Sequence, residues 1–184
     1  MEYNKNELGK FLDPGAIVKQ LEIKRGSIVA DFGCGPGYFS IPFAKIIGED
    51  GKVYALDVLP QALEAVAAKA KNYGINNIIT SRVNLEKENG SKMEANSLDW
   101  VILKDMLFQN QKKDIIIKEA YRVLKNNGQI MVVEWNQNDS TVGPESELRI
   151  AENDLKKMFS DHGFLIGKNI NAGDFHYAFV AIKK

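Results

Sequence analysis

Residues 31–39 read DFGCGPGYF, and this stretch carries the prediction of the fold. The preceding residues GSIVA, 26–30, are short, apolar and partly β-branched, which is the pattern of a buried strand. The following residues SIPFAKIIG, 40–48, have the pattern of a helix that ends at a glycine. Glycines 33, 35 and 37 let the backbone approach a ligand closely. We therefore predict a strand, a ligand-binding loop and a helix, in that order.

The rest of the chain repeats this alternation of strand and helix. We expect a helix over 13–23, then five strand–helix units, a helix and two strands, with a loop of at most one helical turn over 85–97 and the fifth strand over 129–135. Strands separated by helices form parallel sheets with right-handed crossovers. The last two strands are separated only by AGD, 172–174, so they can pair antiparallel. The prediction is an α/β, Rossmann-like, seven-stranded, mostly parallel sheet with helices on both faces.

Length and composition narrow the class of protein. The 184 residues predict one domain, 1–184. Lysine plus arginine and aspartate plus glutamate are 24 each, so the basic excess typical of nucleic-acid binding is missing. The single cysteine, Cys34, is typical of a reducing compartment. With a polar N-terminus and no apolar run of membrane-spanning length, we expect a soluble cytoplasmic protein whose oligomeric state is undetermined.

The glycine loop differs from the dinucleotide-binding fingerprint. It reads G-x-G-x-G, and Tyr38 occupies the position of the third glycine of G-x-G-x-x-G. Asp31, two residues before Gly33, would repel a pyrophosphate and attract an ammonium, directly or through water. Asp57 ends the next strand, 20 positions after Gly37 (57 − 37), where a carboxylate can accept from ribose hydroxyls. An adenosine with an amino-acid tail, S-adenosylmethionine, satisfies both acids, and its carboxylate can accept from N–H groups at the helix start.

A family resemblance supports this cofactor. VADFGCGPGYFS followed by VYALDV resembles the first and second motifs of the class I S-adenosylmethionine-dependent methyltransferases, and RVLKNNGQIMVVEW resembles their segment before the substrate loop. The order of elements is similar over nearly the whole chain. Within the family, the chain resembles the small enzymes grouped with the ubiquinone/menaquinone C-methyltransferases and the arsenite methyltransferases. The resemblance implies methyl transfer from S-adenosylmethionine to an unidentified acceptor, which we expect to be a small molecule.

The resemblance also implies the cofactor-binding residues, which are Asp31, Gly33, Cys34, Gly35, Gly37, Asp57, Val58, Asn84, Leu85 and Lys104. Asn84 stands where the family often has an acid beside the adenine, and its carbonyl oxygen can accept from the adenine amino group. We expect Cys34 to present its backbone N–H to the cofactor rather than to be a nucleophile. Tyr38 and Phe39 are expected in the core, the alternative being an aromatic face at the sulfonium.

The catalytic residues are not determined by the sequence, and Asp105 and Glu134 are the candidates. Asp105 could be a base or a helix cap, and Glu134 ends the fifth strand at the ligand edge. LKDMLF, 103–108, lacks the Asn-Pro-Pro-Tyr-like signature of enzymes that methylate adenine or glutamine amino groups. We expect the wall of the acceptor-binding side to be formed by segments 1–15, 104–110 and 136–150.

The sequence also suggests roles for three further polar residues. His162 is expected to cap a helix and His176 to be a packed or edge histidine; with one cysteine and no ligand spacing, we expect no metal. Arg149 could hold an anionic substrate or form a surface ion pair.

Two other functions remain open. A nicotinamide-dependent oxidoreductase could use a similar sheet, although the missing third glycine disfavours it. A non-catalytic relative could keep the fold and bind S-adenosylmethionine without turnover.

Overall fold

The computed structural model describes residues 11–138 and 142–184. Its elements are α1 (Pro14–Val18), β1 (Ile28–Phe32), α2 (Ser40–Ile47), β2 (Lys52–Asp57), α3 (Pro60–Asn72), β3 (Ile78–Arg82), β4 (Leu98–Lys104), α4 (Lys113–Val123), β5 (Leu124–Trp135), a 3₁₀ turn (Ser146–Leu148), α5 (Glu152–Asp161), β6 (Phe164–Ile170) and β7 (His176–Lys183). Across these two ranges, no helix combines the length and the apolar character needed to cross a membrane.

The seven strands form one sheet in the order β3-β2-β1-β4-β5-β7-β6. Strands β1 to β5 pair in parallel, whereas β7 runs antiparallel to both β5 and β6. The predicted mostly parallel sheet with an antiparallel C-terminal hairpin is confirmed. After β3 the chain crosses to the other side of β1 to begin β4, so the switch point lies between β1 and β4. Ligands of such sheets bind in the crevice outside the strand ends at that point.

Helices cover both faces of the sheet. On one face the core contains Leu103, Ile116, Phe159 and Phe179, which belong to β4, α4, α5 and β7. On the other face, α1 and α2 pack residues such as Phe43 against the sheet. Strand β4 is therefore almost continuously apolar, as expected of a parallel strand that is buried on both sides.

Helix α1 and strand β5 differ from the sequence prediction at their ends. Helix α1 ends at Val18, and the chain leaves it where the Gln20 amide exchanges two hydrogen bonds with the backbone of Asn171, at 2.9 and 3.0 Å. Strand β5 begins at Leu124, five residues earlier than expected, and a register shift against β4 absorbs the additional residues.

The connection from β3 to β4 consists of turns, which confirms the loop expected over 85–97, so the third of the five strand–helix units has no helix. Buried Glu119 of α4 accepts a hydrogen bond from the Ser91 backbone at 3.0 Å. Arg122 donates to Glu119 and to the Met93 carbonyl, each at 2.8 Å. These contacts anchor the turns to α4 and replace the packing that a crossover helix would provide.

Candidate functional site

A cavity of about 530 Å³ opens at the carboxyl ends of β1, β2 and β4. Its volume lies within the usual range for small-molecule sites. It is lined by Gly33, Cys34, Gly35, Pro36, Tyr38, Asp57, Val58, Leu59, Val83, Asn84, Leu85, Glu86, Lys104, Asp105, Met106, Gln109 and Asn110. The cavity therefore lies at the switch point, and eight of the ten predicted cofactor-binding residues line it.

Two glycines of the loop have different roles. Gly37 has φ +82°, and a Cβ there would lie 3.1 Å from Val66 Cγ2, so this glycine allows the loop to pack on α3. Gly37 is absent from the cavity wall. Gly35 has φ +50°, and a Cβ there would meet no atom within 4 Å. Because Gly35 does line the cavity, that space is available to a ligand.

The loop amides correct the expectation for Cys34. The Cys34 N–H donates to the Leu56 carbonyl at 3.0 Å, and the Gly33 N–H donates to the same oxygen at 2.8 Å. Both amides face β2, so the Cys34 N–H is not presented to a ligand. Burial raises the pKa of the Cys34 thiol, which keeps it protonated and unreactive.

Asp57 connects the loop to the cavity. Its Oδ2 accepts from the Gly35 N–H and its Oδ1 from the Leu59 N–H, each at 2.9 Å. A carboxylate oxygen can accept more than one hydrogen bond, so both oxygens retain capacity for a ligand hydroxyl. Asn84 is similar, because its Oδ1 accepts from the Glu86 N–H at 3.0 Å and retains a second lone pair.

Asp31 lies beneath the loop and outside the cavity wall. It is 2% exposed, and Ser40 Oγ donates to its Oδ2 at 2.6 Å. Burial raises the pKa of Asp31 to about 6, and the hydrogen bond from Ser40 opposes the shift. Direct contact between Asp31 and a ligand ammonium is therefore not supported, and a contact through water remains the prediction.

A polar cluster of Lys104, Asp105 and His176 lies at the β4 end of the cavity. The Lys104 ammonium contacts Asp105 Oδ2. His176 Nε2 lies 3.2 Å from Asp105 Oδ1 and 3.3 Å from Oδ2. His176 was expected to be only a packed or edge histidine, and its pairing with Asp105 was missed.

Tyr38 corrects another expectation. The ring is 56% exposed, lines the cavity and lies 5.6 Å from the Lys104 ammonium, whereas Phe39 is buried as expected. Tyr38 therefore lies at the ligand site, which was the alternative to a place in the core.

Glu134 is 1% exposed and does not line the cavity. Its Oε1 accepts from the Leu107 N–H at 2.7 Å and from the Phe108 N–H at 3.3 Å. Burial, assisted by the charge of Asp105, raises the pKa of Glu134 to about 7. Glu134 therefore supports the cavity-lining turn at 106–110 from below. Because Glu134 itself does not contact the cavity, its catalytic role stays a prediction.

The remaining polar residues have structural contacts. Arg149 is buried and donates at 2.9 Å to the carbonyls of Asn136, Asn138, Val142 and Pro144, so these contacts hold residues 136–138 and 142–144 in place. His162 caps α5, as expected. Residues 1–10 and 139–141 of the expected acceptor wall lie outside the described residues.

The described ranges hold no group of three or more His, Cys, Asp or Glu side chains arranged for a metal ion.

Comparison with known proteins agrees with this geometry. The ubiquinone/menaquinone biosynthesis C-methyltransferase UbiE of Haemophilus ducreyi is 31% identical over 117 residues, 62% of this chain and 44% of that protein. The demethylmenaquinone methyltransferase of Lactobacillus johnsonii is 26% identical over 163 residues, 86% of this chain and 62% of that protein. The chain thus spans roughly half the length of these relatives.

The crystal structure of a SAM-dependent methyltransferase from Aquifex aeolicus superposes with a TM-score of 0.86 at 23% identity, covering 95% of this chain and 91% of that one. Residues 23–175 match the family described as "Methyltransferase domain". The chain therefore belongs to the methyltransferase domain family, of the class I S-adenosylmethionine-dependent type.

Proposed function

We propose that the chain binds S-adenosylmethionine in the cavity and transfers its methyl group to a small-molecule acceptor. The observation that carries this proposal is the wall formed by the open Gly35 position and the Asp57 carboxylate at the switch point of the sheet. A nicotinamide dinucleotide would bring a pyrophosphate to a wall whose side chains include three carboxylates and one ammonium, which disfavours that alternative.

Different cavity residues would contact different parts of the ligand. Asp57 would accept from the ribose hydroxyls, and Asn84 would accept from the adenine amino group. Val58 and Leu85 would pack on the adenosine. Tyr38 would place an aromatic face near the sulfonium, and Asp31 would reach the ammonium through water.

The bound cofactor supplies a methyl group that is already activated by the positive charge on sulfur. The chain's residues therefore need mainly to orient the two reactants and exclude water. The 106–110 turn provides one side of this enclosure, since Met106, Gln109 and Asn110 line the cavity and Glu134 holds the turn from below. Lys104 neutralises Asp105 beside the cavity.

The proposal extends to the whole chain. Residues 1–184 would be a single cytoplasmic domain, and its acceptor would be a small molecule. The UbiE and demethylmenaquinone methyltransferase relatives support a quinone-related acceptor as the first to test, although the matched region covers only part of those proteins.

The test is calorimetric titration of the purified chain with S-adenosylmethionine, S-adenosylhomocysteine and NAD. We expect micromolar binding of both adenosyl compounds and none of NAD. NAD binding alone would support the oxidoreductase alternative. Binding of S-adenosylmethionine without methyl transfer to any acceptor would support a non-catalytic relative.

A further inference from the structure

Asp105 differs from the other acidic residues that line the cavity. Asp57 and Glu86 each accept hydrogen bonds from backbone N–H groups, and these bonds hold loops in place. Among the residues described, the contacts of the Asp105 carboxylate come from two side chains, those of Lys104 and His176. The carboxylate of Asp105 is therefore not required to satisfy the backbone. Asp105 lines the ligand cavity, and its Oδ1 is buried with no hydrogen-bond partner among the described residues.

The backbone at Asp105 is also unusual. Its φ of +48° lies in the left-handed region, which residues with a side chain rarely adopt. The conformation is held by a hydrogen bond of 2.9 Å from the Asp105 N–H to the Val133 carbonyl of β5. Such conformations occur disproportionately at functional sites, and here the turn places Asp105 at the cavity wall.

His176 holds this carboxylate from the far side. It is the first residue of β7 and pairs with Trp135 of β5, and the two rings pack with centroids 4.0 Å apart. Its Nε2 is hydrogen-bonded to Asp105 Oδ2 at 3.3 Å and also lies 3.2 Å from Oδ1, a contact without hydrogen-bond geometry, so the carboxylate favours a proton on Nε2. Nδ1 is buried and has no hydrogen-bond partner within the described ranges. His176 does not line the cavity, so it acts through Asp105.

Building on the proposed function, we propose that Asp105 is the base for the methyl acceptor and that His176 is its positioning residue. The acceptor then carries a proton for the base to remove, as a hydroxyl, an amine or a ring C–H of a quinone-related acceptor does. As the acceptor atom bonds to the methyl carbon, the methyl–sulfur bond breaks and its electron pair remains on sulfur. The acceptor's proton moves to the Asp105 carboxylate and from there to solvent. An anionic acceptor without a proton, such as a halide, has no proton for the carboxylate to accept, and it is repelled by a cavity wall that carries three carboxylates and one ammonium.

The first measurement is the tautomer of His176 from the ¹⁵N resonances of its ring. The chain has two histidines, so His162 in the same spectrum is an internal control. We expect a protonated Nε2 and an unprotonated Nδ1 at His176, and a change of these resonances in Asp105→Asn with those of His162 unchanged. A His176 ring that is protonated only on Nδ1, or is insensitive to Asp105→Asn, would overturn the pairing.

The second measurement is methyl transfer to phenol and benzylamine, whose attacked atoms carry a proton, and to iodide, whose attacked atom does not. We expect transfer to at least one of the first two and none to iodide. Asp105→Asn should lower kcat by about a hundredfold or more. His176→Leu should lower it by about tenfold, and His176→Gln, which retains a donor near the position of Nε2, should restore most of this loss. His162→Gln should have no effect.

The affinity for S-adenosylmethionine separates the two proposals. In the Asp105 and His176 variants it should stay within about threefold of the wild type. If the wild-type chain does not bind S-adenosylmethionine, the proposed function fails, and the role of Asp105 fails with it. Three results with intact binding would overturn only the assignment of the base and the acceptor class. These are a preference for iodide as the acceptor, no methylation of either proton-bearing probe, and an unchanged kcat in Asp105→Asn.

Discussion

Replacing Asp57 by alanine removes the carboxylate that we assign to the ribose. The two oxygens are positioned by the Gly35 and Leu59 N–H groups at 2.9 Å, so they are oriented before the ligand arrives. Hydrogen bonds to a charged group contribute about 1.5–3 kcal/mol each. With water partly replacing the lost bonds, the variant should lose about 2–4 kcal/mol of S-adenosylmethionine binding, roughly thirtyfold to several hundredfold in Kd.

The assay is calorimetric titration of Asp57→Ala, Asp57→Asn and Asp50→Ala. Asn retains one acceptor oxygen in the side chain, so its affinity should fall between those of the wild type and the alanine variant. Asp50 is an exposed acid in the turn before β2 and lies outside the cavity wall, so its replacement should leave the Kd unchanged. Thermal melts of all three variants would show whether the fold is retained.

Two results would refute this reasoning. The first is an Asp57→Ala variant that keeps a cooperative melt and binds S-adenosylmethionine as tightly as the wild type. The second is an equal loss in Asp57→Ala and Asp50→Ala, which would show that net charge rather than a ribose contact determines affinity.

Three other perturbations test separate parts of the site. Gly35→Ala and Gly74→Ala both place a Cβ at positive φ with no atom within 4 Å, so thermal melts should show that each loses about 1–2 kcal/mol of free energy of unfolding. Only Gly35→Ala should weaken S-adenosylmethionine binding, and equal binding by both variants would contradict the open position at Gly35. The pKa of Asp31 is raised from 3.8 to about 6 in the folded state, so its contribution to stability is present below about pH 4 and is lost as the pH rises through 6. Denaturant unfolding from pH 4 to 7 should show the wild type losing about 3 kcal/mol of free energy of unfolding relative to Asp31→Asn. The same pH dependence in both proteins would argue against this burial effect. Arg149→Lys cannot reach the same four carbonyls, so it should lower the free energy of unfolding by about 2–4 kcal/mol and speed proteolysis at residues 136–138 and 142–144, with exposed Arg25→Lys as the control. An unchanged cleavage rate would show that other contacts hold these residues.

Much of the site could be predicted because its residues follow strands directly. Parallel strands bring their carboxyl ends to one edge, so Gly35, Asp57, Asn84 and Lys104 meet there once the strands are recognised. His176 could have been found by the same logic. In a β7 strand antiparallel to β5, the first residue lies beside the carboxyl end of β5, where Trp135 is its observed partner.

The sequence by itself determined the strand–loop–helix unit, the parallel sheet with its closing hairpin, and the edge at which a ligand binds. These features depend on local patterns of apolar residues and on glycine positions, which act over a few residues. Only the tertiary structure decided that the Cys34 amide faces β2, that Tyr38 faces the cavity and that Asp105 pairs with His176, 71 residues away. The direction of a side chain or an amide depends on the register and packing of neighbouring elements, and no local pattern contains that information.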